Sequence, residues 1–226
     1  MEKERLILGT DESRRAASKK RVLSHNYIIG IDEVGRGPLA GRIFVGAVLF
    51  PKNPKKFLKK SNSPKKLTDS KKLSEKQREE WFSWVKKNKI PFALSAVSPS
   101  EIDKINIARA CDKAANRAVL KLIKKYGLNH VRIIADAGIH IKPSDRIGSF
   151  ESFPKADETV PAVSIASIIA KVKRDLEMKR MKLKYPQYGF DGHKGYGTKS
   201  HIRAIRKYGP SPIHRLTFIG KFTKIR

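Results

Sequence analysis

Four acidic residues stand out because each lies at the end or the start of an apolar segment. Asp32 and Glu33 end the run YIIGIDE, Asp136 follows VRIIA, and Asp157 lies in PKADET, just before an apolar segment rich in small residues. Clustered carboxylates repel one another, and Mg²⁺ or Mn²⁺ relieves the repulsion because these ions prefer oxygen ligands. If the fold brings the four together, we expect metal-assisted phosphodiester hydrolysis, with two ions about 4 Å apart.

The spacing of these acids leaves other roles open. Taken singly, each is more often a helix cap or the partner of one of the many lysines. Neighbouring side chains on a strand also point to opposite faces. Asp32 and Glu33 can therefore share a site only where the strand ends, or if one of them contributes through its backbone.

The charge of the chain predicts a polyanionic partner. Lysine and arginine number 50 against 21 acids, which gives a formal net charge of +29. Such an excess favours binding to phosphates, and nucleic acid is the better interpretation because no segment has the pattern of an amphipathic lipid anchor. A generally basic proteome would produce the same excess, so charge alone does not decide the function.

Length and composition exclude several classes of protein. The 226 residues, 39% of them hydrophobic, suit one catalytic domain. No apolar run approaches the roughly 20 residues that span a bilayer, and the N-terminus lacks a signal-peptide pattern. The single cysteine, Cys111, excludes an internal disulfide and a cysteine-based zinc cluster. We therefore expect a cytoplasmic protein without a membrane partner.

The hydrophobic pattern predicts an α/β fold in which helices cover a mixed sheet. Residues 1–25 are expected to form a basic, partly disordered arm, and residues 26–226 one catalytic domain with a helical C-terminal part. Loops are expected over 51–66, which is rich in lysine, and over 139–156. Strands are predicted over 27–33, 42–50, 91–97 and 131–135, and helices over about 75–88 (after Ser74), 101–126 (between Ser100 and Gly127), from Pro161 onwards, and near 198–208.

Two glycine-rich segments could contact a nucleic acid. Gly35, Arg36 and Gly37 form a flexible turn with backbone N–H groups and one cation, which could approach a sugar-phosphate closely or could simply connect two strands. Tyr196 lies between two glycines and has room to stack on a base or sugar, although it could equally anchor its loop on the core. Lys71 offers a weaker signal for phosphate binding.

Several ordered motifs together resemble the ribonuclease HII family over about residues 27–218. They are GIDEVGRGPLAG at 30–41, LTDSKKLS at 67–74, EIDKINIARA at 101–110, IIADAG at 133–138, KADETVPAVSIASIIAKVKRD at 155–175, and YPQYGFDGHKGYGT with GPSPIHRLTF near the C-terminus. Departures from the family are modest: ADAG replaces the more usual VDG, and the lysine-rich loop at 52–66 is expanded. The resemblance implies the ribonuclease H fold with a helical C-terminal part.

The resemblance also implies roles for individual residues. The metal-binding catalytic set would be Asp32, Glu33, Asp136 and Asp157. The glycine loop would sense the ribose 2′-hydroxyl, Tyr196 would pack against the nucleotide at the RNA–DNA junction, and Lys71 would meet phosphate. Asp175 also occupies a recurrent family position, and we interpret it as structural.

The implied activity is that of an endoribonuclease dependent on Mg²⁺ or Mn²⁺. It would hydrolyse the RNA strand of RNA/DNA hybrids and cut 5′ to ribonucleotides embedded in duplex DNA, leaving a 3′-hydroxyl and a 5′-phosphate. A monomer is expected. Two alternatives remain at this point: the related ribonuclease HIII activity, and a non-catalytic basic nucleic-acid-binding protein in which the four acids are scattered.

Overall fold

The computed structural model describes residues 26–64, 67 and 70–222. The basic arm expected over residues 1–25 therefore lies outside the described residues, as do residues 223–226. None of the described helices is both long enough and apolar enough to cross a bilayer.

The described residues contain five strands: β1 (Tyr27–Val34), β2 (Ile43–Pro51), β3 (Phe92–Val97), β4 (Val131–Asp136) and β5 (Ile147–Phe153). They form one mixed sheet with the order β3-β2-β1-β4-β5. β1 pairs with β2, and β2 with β3, in antiparallel fashion, whereas β1 and β4, and β4 and β5, are parallel. The carboxyl ends of β1 and β4 thus lie side by side, which places Asp32 and Asp136 at the same edge.

The helices cover both faces of this sheet. Two long ones dominate, α4 (Ile107–Tyr126) and α6 (Pro161–Lys184), and a helical C-terminal part follows a short 3₁₀ turn at Pro186–Tyr188. The helices are α1 (Lys55–Lys60), α2 (Glu75–Lys87), α3 (Pro99–Ile105), α4 (Ile107–Tyr126), α5 (Ala156–Thr159), α6 (Pro161–Lys184), α7 (Phe190–His193), α8 (Lys199–Tyr208) and α9 (Leu216–Ile219).

Successive side chains of β1 point to opposite faces of the sheet and belong to two separate layers of the core. Ile29 and Ile31 face α4 and belong to the cluster built on that helix. Ile28 faces the other way, towards the cluster formed by α2 and α6. Since side chains alternate along a strand, Asp32 continues the α6 face and Glu33 continues the α4 face.

Two glycines let α6 lie unusually close to the sheet. A Cβ atom at Gly30 would come within 2.2 Å of the Ala162 backbone carbon, and one at Gly46 within 2.5 Å of the Ala166 carbonyl oxygen. No larger residue fits at either position without moving the helix. The small residues predicted on this helix are therefore matched by glycines on β1 and β2, and the contact fixes the start of α6 next to Asp32.

Three local signals in the sequence are confirmed. Ser74 and Gln77 form a reciprocal capping box at the start of α2. Gly127 ends α4 in the left-handed conformation, and Pro161 occupies the first turn of α6.

Three details of the predicted elements are wrong. The loop expected over 139–156 contains β5, an edge strand whose exposed polar residues gave no apolar pattern. The single helix expected over 101–126 is two helices, because Asn106 takes a positive φ of 65° and caps α4; Ser98, not Ser100, caps the first of them. The lysine-rich loop contains the short helix α1.

Candidate active site

Asp32 and Glu33 leave β1 on opposite faces of the sheet, as strand geometry requires. Asp32 is only 5% exposed and lies on the α6 side, where Ser167 forms a hydrogen bond to its carboxylate. Glu33 lies on the α4 side, near the thiol of Cys111; burial raises the pKa of that thiol, and the Glu33 carboxylate raises it further. The two side chains therefore approach the sheet edge from the two layers of the core.

The carboxyl group of Asp32 is held in an unfavourable environment for charge. Burial raises its pKa well above the usual range, and the neighbouring carboxylates of Glu33 and Asp136 raise it further. Hydrogen bonds from Ser167 and from the Glu33 backbone N–H, the latter 2.8 Å long, only partly oppose this rise. A cation at this position would relieve the repulsion.

Glu33 has one satisfied and one unsatisfied oxygen. Its Oε1 accepts a hydrogen bond of 3.1 Å from Arg36 Nη1, whereas Oε2 is buried and has no hydrogen-bond partner. Burial raises the pKa of Glu33, Arg36 lowers it, and Asp136 raises it again. A buried, unpartnered carboxylate oxygen is costly unless a ligand completes it.

Asp136 and Asp157 are connected through the short helix α5. Asp136 Oδ1 accepts a hydrogen bond of 3.2 Å from the backbone N–H of Ala156, the residue before Asp157. Asp157 is 5% exposed, and its carbonyl oxygen accepts a hydrogen bond from the Ser164 hydroxyl on α6. Asp157 therefore lies on a short helical turn that hydrogen bonds attach to both β4 and α6.

The structure brings Asp32, Glu33 and Asp136 to one edge, with the backbone of Asp157 beside them, without forming a closed metal cage. Across the described part of the chain, no three histidine, cysteine, aspartate or glutamate side chains are arranged as a ready metal-binding group. The orphaned oxygen of Glu33 and the raised pKa of Asp32 nevertheless fit a divalent cation. The donor set is made of carboxylates, which suits Mg²⁺ or Mn²⁺.

The segment that carries Lys71 is anchored beside Asp32. The Ser70 and Ser167 hydroxyl groups lie 2.7 Å apart and are both buried. Arg78 donates a hydrogen bond of 3.1 Å to the Ser70 carbonyl and also forms an ion pair with the buried Asp175. Lys71 lies near enough to Glu33 to lower the pKa of that carboxyl group.

The glycine loop, residues 35–37, rests on two buried arginines. Arg215 donates to the carbonyl oxygens of Gly35 at 2.6 Å, Arg36 at 2.9 Å and Gly41 at 2.9 Å. A Cβ at Gly35, which has a φ of +99°, would come within 2.4 Å of Arg174 Nε. Burial lowers the pKa of both guanidinium groups, that of Arg215 to about 9.

Tyr196 lies next to this loop and is 46% exposed. Its ring centroid is 5.9 Å from the guanidinium carbon of Arg174, and Arg174 Nη2 also donates to the carbonyls of Ala40 and Lys194. One buried arginine therefore contacts both glycine-rich segments that the sequence singled out.

Sequence reasoning missed the supporting residues Ser167, Arg174, Arg215, His201 and His214. One signal was available for Arg174, which follows Ala166 and Ala170 at four-residue intervals on the buried stripe of α6. Ser167 lies on the same helix among its small residues, whereas His201, His214 and Arg215 lie in segments whose burial depends on the C-terminal part folding back onto the sheet.

The profile of the family described as Ribonuclease HII matches residues 29–221. The chain belongs to the ribonuclease HII family. Members of this family are endonucleases that hydrolyse the RNA of RNA/DNA hybrids. The family match favours neither alternative left open by the sequence, the ribonuclease HIII activity or the non-catalytic binder.

Curated relatives named ribonuclease HII are similar to nearly the whole chain. A ribonuclease HII of Caldanaerobacter subterraneus subsp. tengcongensis is 38% identical over 221 residues, covering 98% of this chain and 86% of that protein. A ribonuclease HII of Coxiella burnetii is 41% identical over 195 residues, covering 86% and 89%.

The fold is also found in solved structures. The ribonuclease H2 of Pyrococcus horikoshii OT3 is similar with a TM-score of 0.60 at 24% identity, covering 88% of this chain and 97% of that one. At 21% identity, a Bst-RNase HIII solved in complex with Mn²⁺ has a TM-score of 0.65 and covers 92% of this chain and 71% of its own. At these identities the likenesses concern the fold, and they confirm the ribonuclease H-like sheet.

Proposed function

We propose that this chain cuts the phosphodiester bond 5′ to ribonucleotides, both in RNA/DNA hybrids and within duplex DNA, and leaves a 3′-hydroxyl and a 5′-phosphate. The observation that carries the proposal is the convergence of the buried Asp32 with the partly buried Glu33 and Asp136 at the ends of β1 and β4. Burial raises the pKa of Asp32 and of Glu33, and Asp136 lies close enough to raise the pKa of both further. Arg36 offsets only part of this negative charge, because it bonds one oxygen of Glu33 and the other is buried without a hydrogen-bond partner. The remaining negative charge indicates a cation site.

The residues proposed to hold Mg²⁺ or Mn²⁺ are Asp32, Glu33, Asp136 and Asp157. Two ions are expected in the reacting complex, and when bound they supply the Lewis acidity that activates water and neutralises charge on the phosphate. The protein contributes fixed positions. Ser167 orients Asp32, Arg36 orients Glu33, and the Ala156 N–H orients Asp136.

The glycine loop is proposed to read the sugar. Its carbonyl oxygens at Gly35 and Arg36 are occupied by Arg215, so the polar groups left for a ligand are chiefly N–H donors. Such donors can recognise a ribose 2′-hydroxyl, which separates RNA from DNA. Tyr196 is proposed to pack on the nucleotide at the junction, and Lys71 to meet a phosphate.

The remaining basic surface is proposed to supply affinity without sequence preference, because contacts to phosphates carry no base information. Every proposed contact comes from one chain, so a monomer suffices for the activity.

The test uses duplex DNA containing a single ribonucleotide, and separately a long RNA/DNA hybrid, with Mg²⁺ or Mn²⁺. We expect cleavage of both and a 5′-phosphate on the ribonucleotide side, with loss of both activities in Asp32→Asn. Absence of cleavage by the wild type, or equal rates in Asp32→Asn, would refute the proposal. Leu183→Ser, at a side chain that is 82% exposed on α6, is the matched control and should cleave normally.

A further inference from the structure

A buried pair of histidines connects the Tyr196 turn, residues 194–198, to the segment 211–215. The hydrogen bond between Ser211 and His214 determines which ring nitrogen of His214 carries the proton. The backbone N–H of Ser211 lies 2.8 Å from His214 Nδ1, and an N–H can only donate. His214 Nδ1 is therefore the acceptor, and the ring proton of the neutral side chain is on Nε2.

The remaining bonds follow from that proton. His214 Nε2–H donates to His201 Nε2 at 3.0 Å, so His201 carries its own proton on Nδ1. That Nδ1–H donates to the carbonyl oxygen of Tyr196 at 2.8 Å. Both rings are buried, and burial lowers the pKa of each to about 4, so both are neutral at pH 7. Only one pair of tautomers satisfies all these bonds.

The same segment holds the glycine loop. Arg215 follows His214 directly, and its guanidinium occupies the carbonyls of Gly35, Arg36 and Gly41. A backbone path runs in parallel, since Leu39 N–H donates to the Gly195 carbonyl and Arg215 N–H donates to the Leu39 carbonyl, both at 2.8 Å.

We propose that His201, His214 and Arg215 act as a brace that sets the distance between the glycine loop and Tyr196, and that this distance selects the ribonucleotide–DNA junction. The proposal rests on the proposed function of those two elements. None of the three residues of the brace is exposed to substrate, since His201 and Arg215 are 0% exposed and His214 is 3% exposed. They are positioning residues that act through the loops they hold.

A fixed distance matters most for a single embedded ribonucleotide. That substrate offers one sugar for the glycine loop and one adjoining nucleotide for Tyr196, so both contacts must be made in one register. A long hybrid offers the loop a ribose at every register, and binding there depends less on Tyr196. Loosening the brace should therefore weaken binding at the junction before it affects hydrolysis, because displacements of about 1 Å are enough to lose a positioned contact.

The kinetic test compares His201→Leu with His201→Asn on the two substrates. Asparagine keeps an N–H donor close to the Nδ1 position, whereas leucine has none. For His201→Leu we expect kcat/KM on the single-ribonucleotide duplex to fall about tenfold more than on the long hybrid, chiefly through KM, as the loss of about one positioned contact implies. His201→Asn should recover most of that selectivity. Equal losses on both substrates, or no difference between the two variants, would overturn the brace.

The structural test uses the wild-type protein alone, so it requires neither activity nor a folded variant. In ¹⁵N-labelled wild-type protein, the ring nitrogens should show His201 protonated at Nδ1 and His214 at Nε2. The opposite tautomer at either ring, or rapid averaging between the two, would overturn the proposal. If the wild type cleaves neither substrate, the proposed function fails, while the tautomers still decide whether the hydrogen-bonded brace exists.

Discussion

Replacing Gly30 with alanine tests whether the close approach of α6 positions the active site. The new Cβ would lie 2.2 Å from the backbone carbon of Ala162 and 2.5 Å from its oxygen. Carbon atoms pack best about 3.5–4.0 Å apart, so the start of α6 must retreat by about 1 Å. Overpacking of this kind costs about 1–3 kcal/mol. For a chain of this size each kcal/mol lowers Tm by about 2–4 °C, so a fall of about 2–12 °C is expected.

The same movement should reach the chemistry, because Asp157 lies just before α6 and Asp32 lies two residues after Gly30 on the same face. A displacement of about 1 Å can cost about 100-fold in rate. The assay is thermal unfolding together with cleavage of a single-ribonucleotide duplex. Gly192→Ala is the control, since a Cβ there meets nothing within 4 Å. A Gly30→Ala protein with unchanged Tm and activity would refute the reasoning.

Three further predictions concern buried charge and recognition. Asp32→Asn should raise the Tm of the metal-free protein at pH 7 while abolishing cleavage. Because the pKa of Asp32 is raised in the folded state, its contribution to stability is present at low pH and is lost as the pH rises, and an uncharged asparagine avoids that loss. An unchanged or lower Tm would contradict this reasoning. The free energy of unfolding in urea should fall between pH 6.5 and pH 4 by about 3 kcal/mol for each of His201 and His214, because the unfolded chain binds protons in that window and the folded rings, with a pKa of about 4, do not. His214→Asn should show a shallower fall, and a slope equal to that of the wild type would contradict the lowered pKa of His214. Tyr196→Ala should lose more activity on the junction substrate than on a long hybrid, and equal losses would refute its proposed role.

Local signals in the sequence predicted most of the fold. The capping box at Ser74, the glycine at 127 and the proline at 161 act within one helical turn, and each sets an element boundary as expected. β5 could not be found this way. Its residues are mostly polar and exposed, and it becomes a strand because it pairs in parallel with β4. That pairing depends on chain segments that are distant in sequence.

For the candidate site, too, the sequence predicted the local geometry but not the contacts between distant segments. Strand alternation predicted that Asp32 and Glu33 point apart, and the structure places them on the α6 and α4 faces. Which helix each would meet could not be predicted, since it depends on the order of strands in the sheet. The supporting arginines were also hidden, because Arg174 and Arg215 belong to a residue type that is almost never fully buried unless paired.

Those two arginines also affect how binding should respond to salt. Neither forms a salt bridge with any described carboxylate, and both lie under the glycine loop. Surface lysines attract phosphate through solvent, and their contribution weakens as ionic strength rises. Buried guanidinium groups are screened far less, so their attraction persists. As salt increases, the protein should therefore lose general affinity for duplex DNA faster than it loses attraction at the loop itself, and its binding should become more selective.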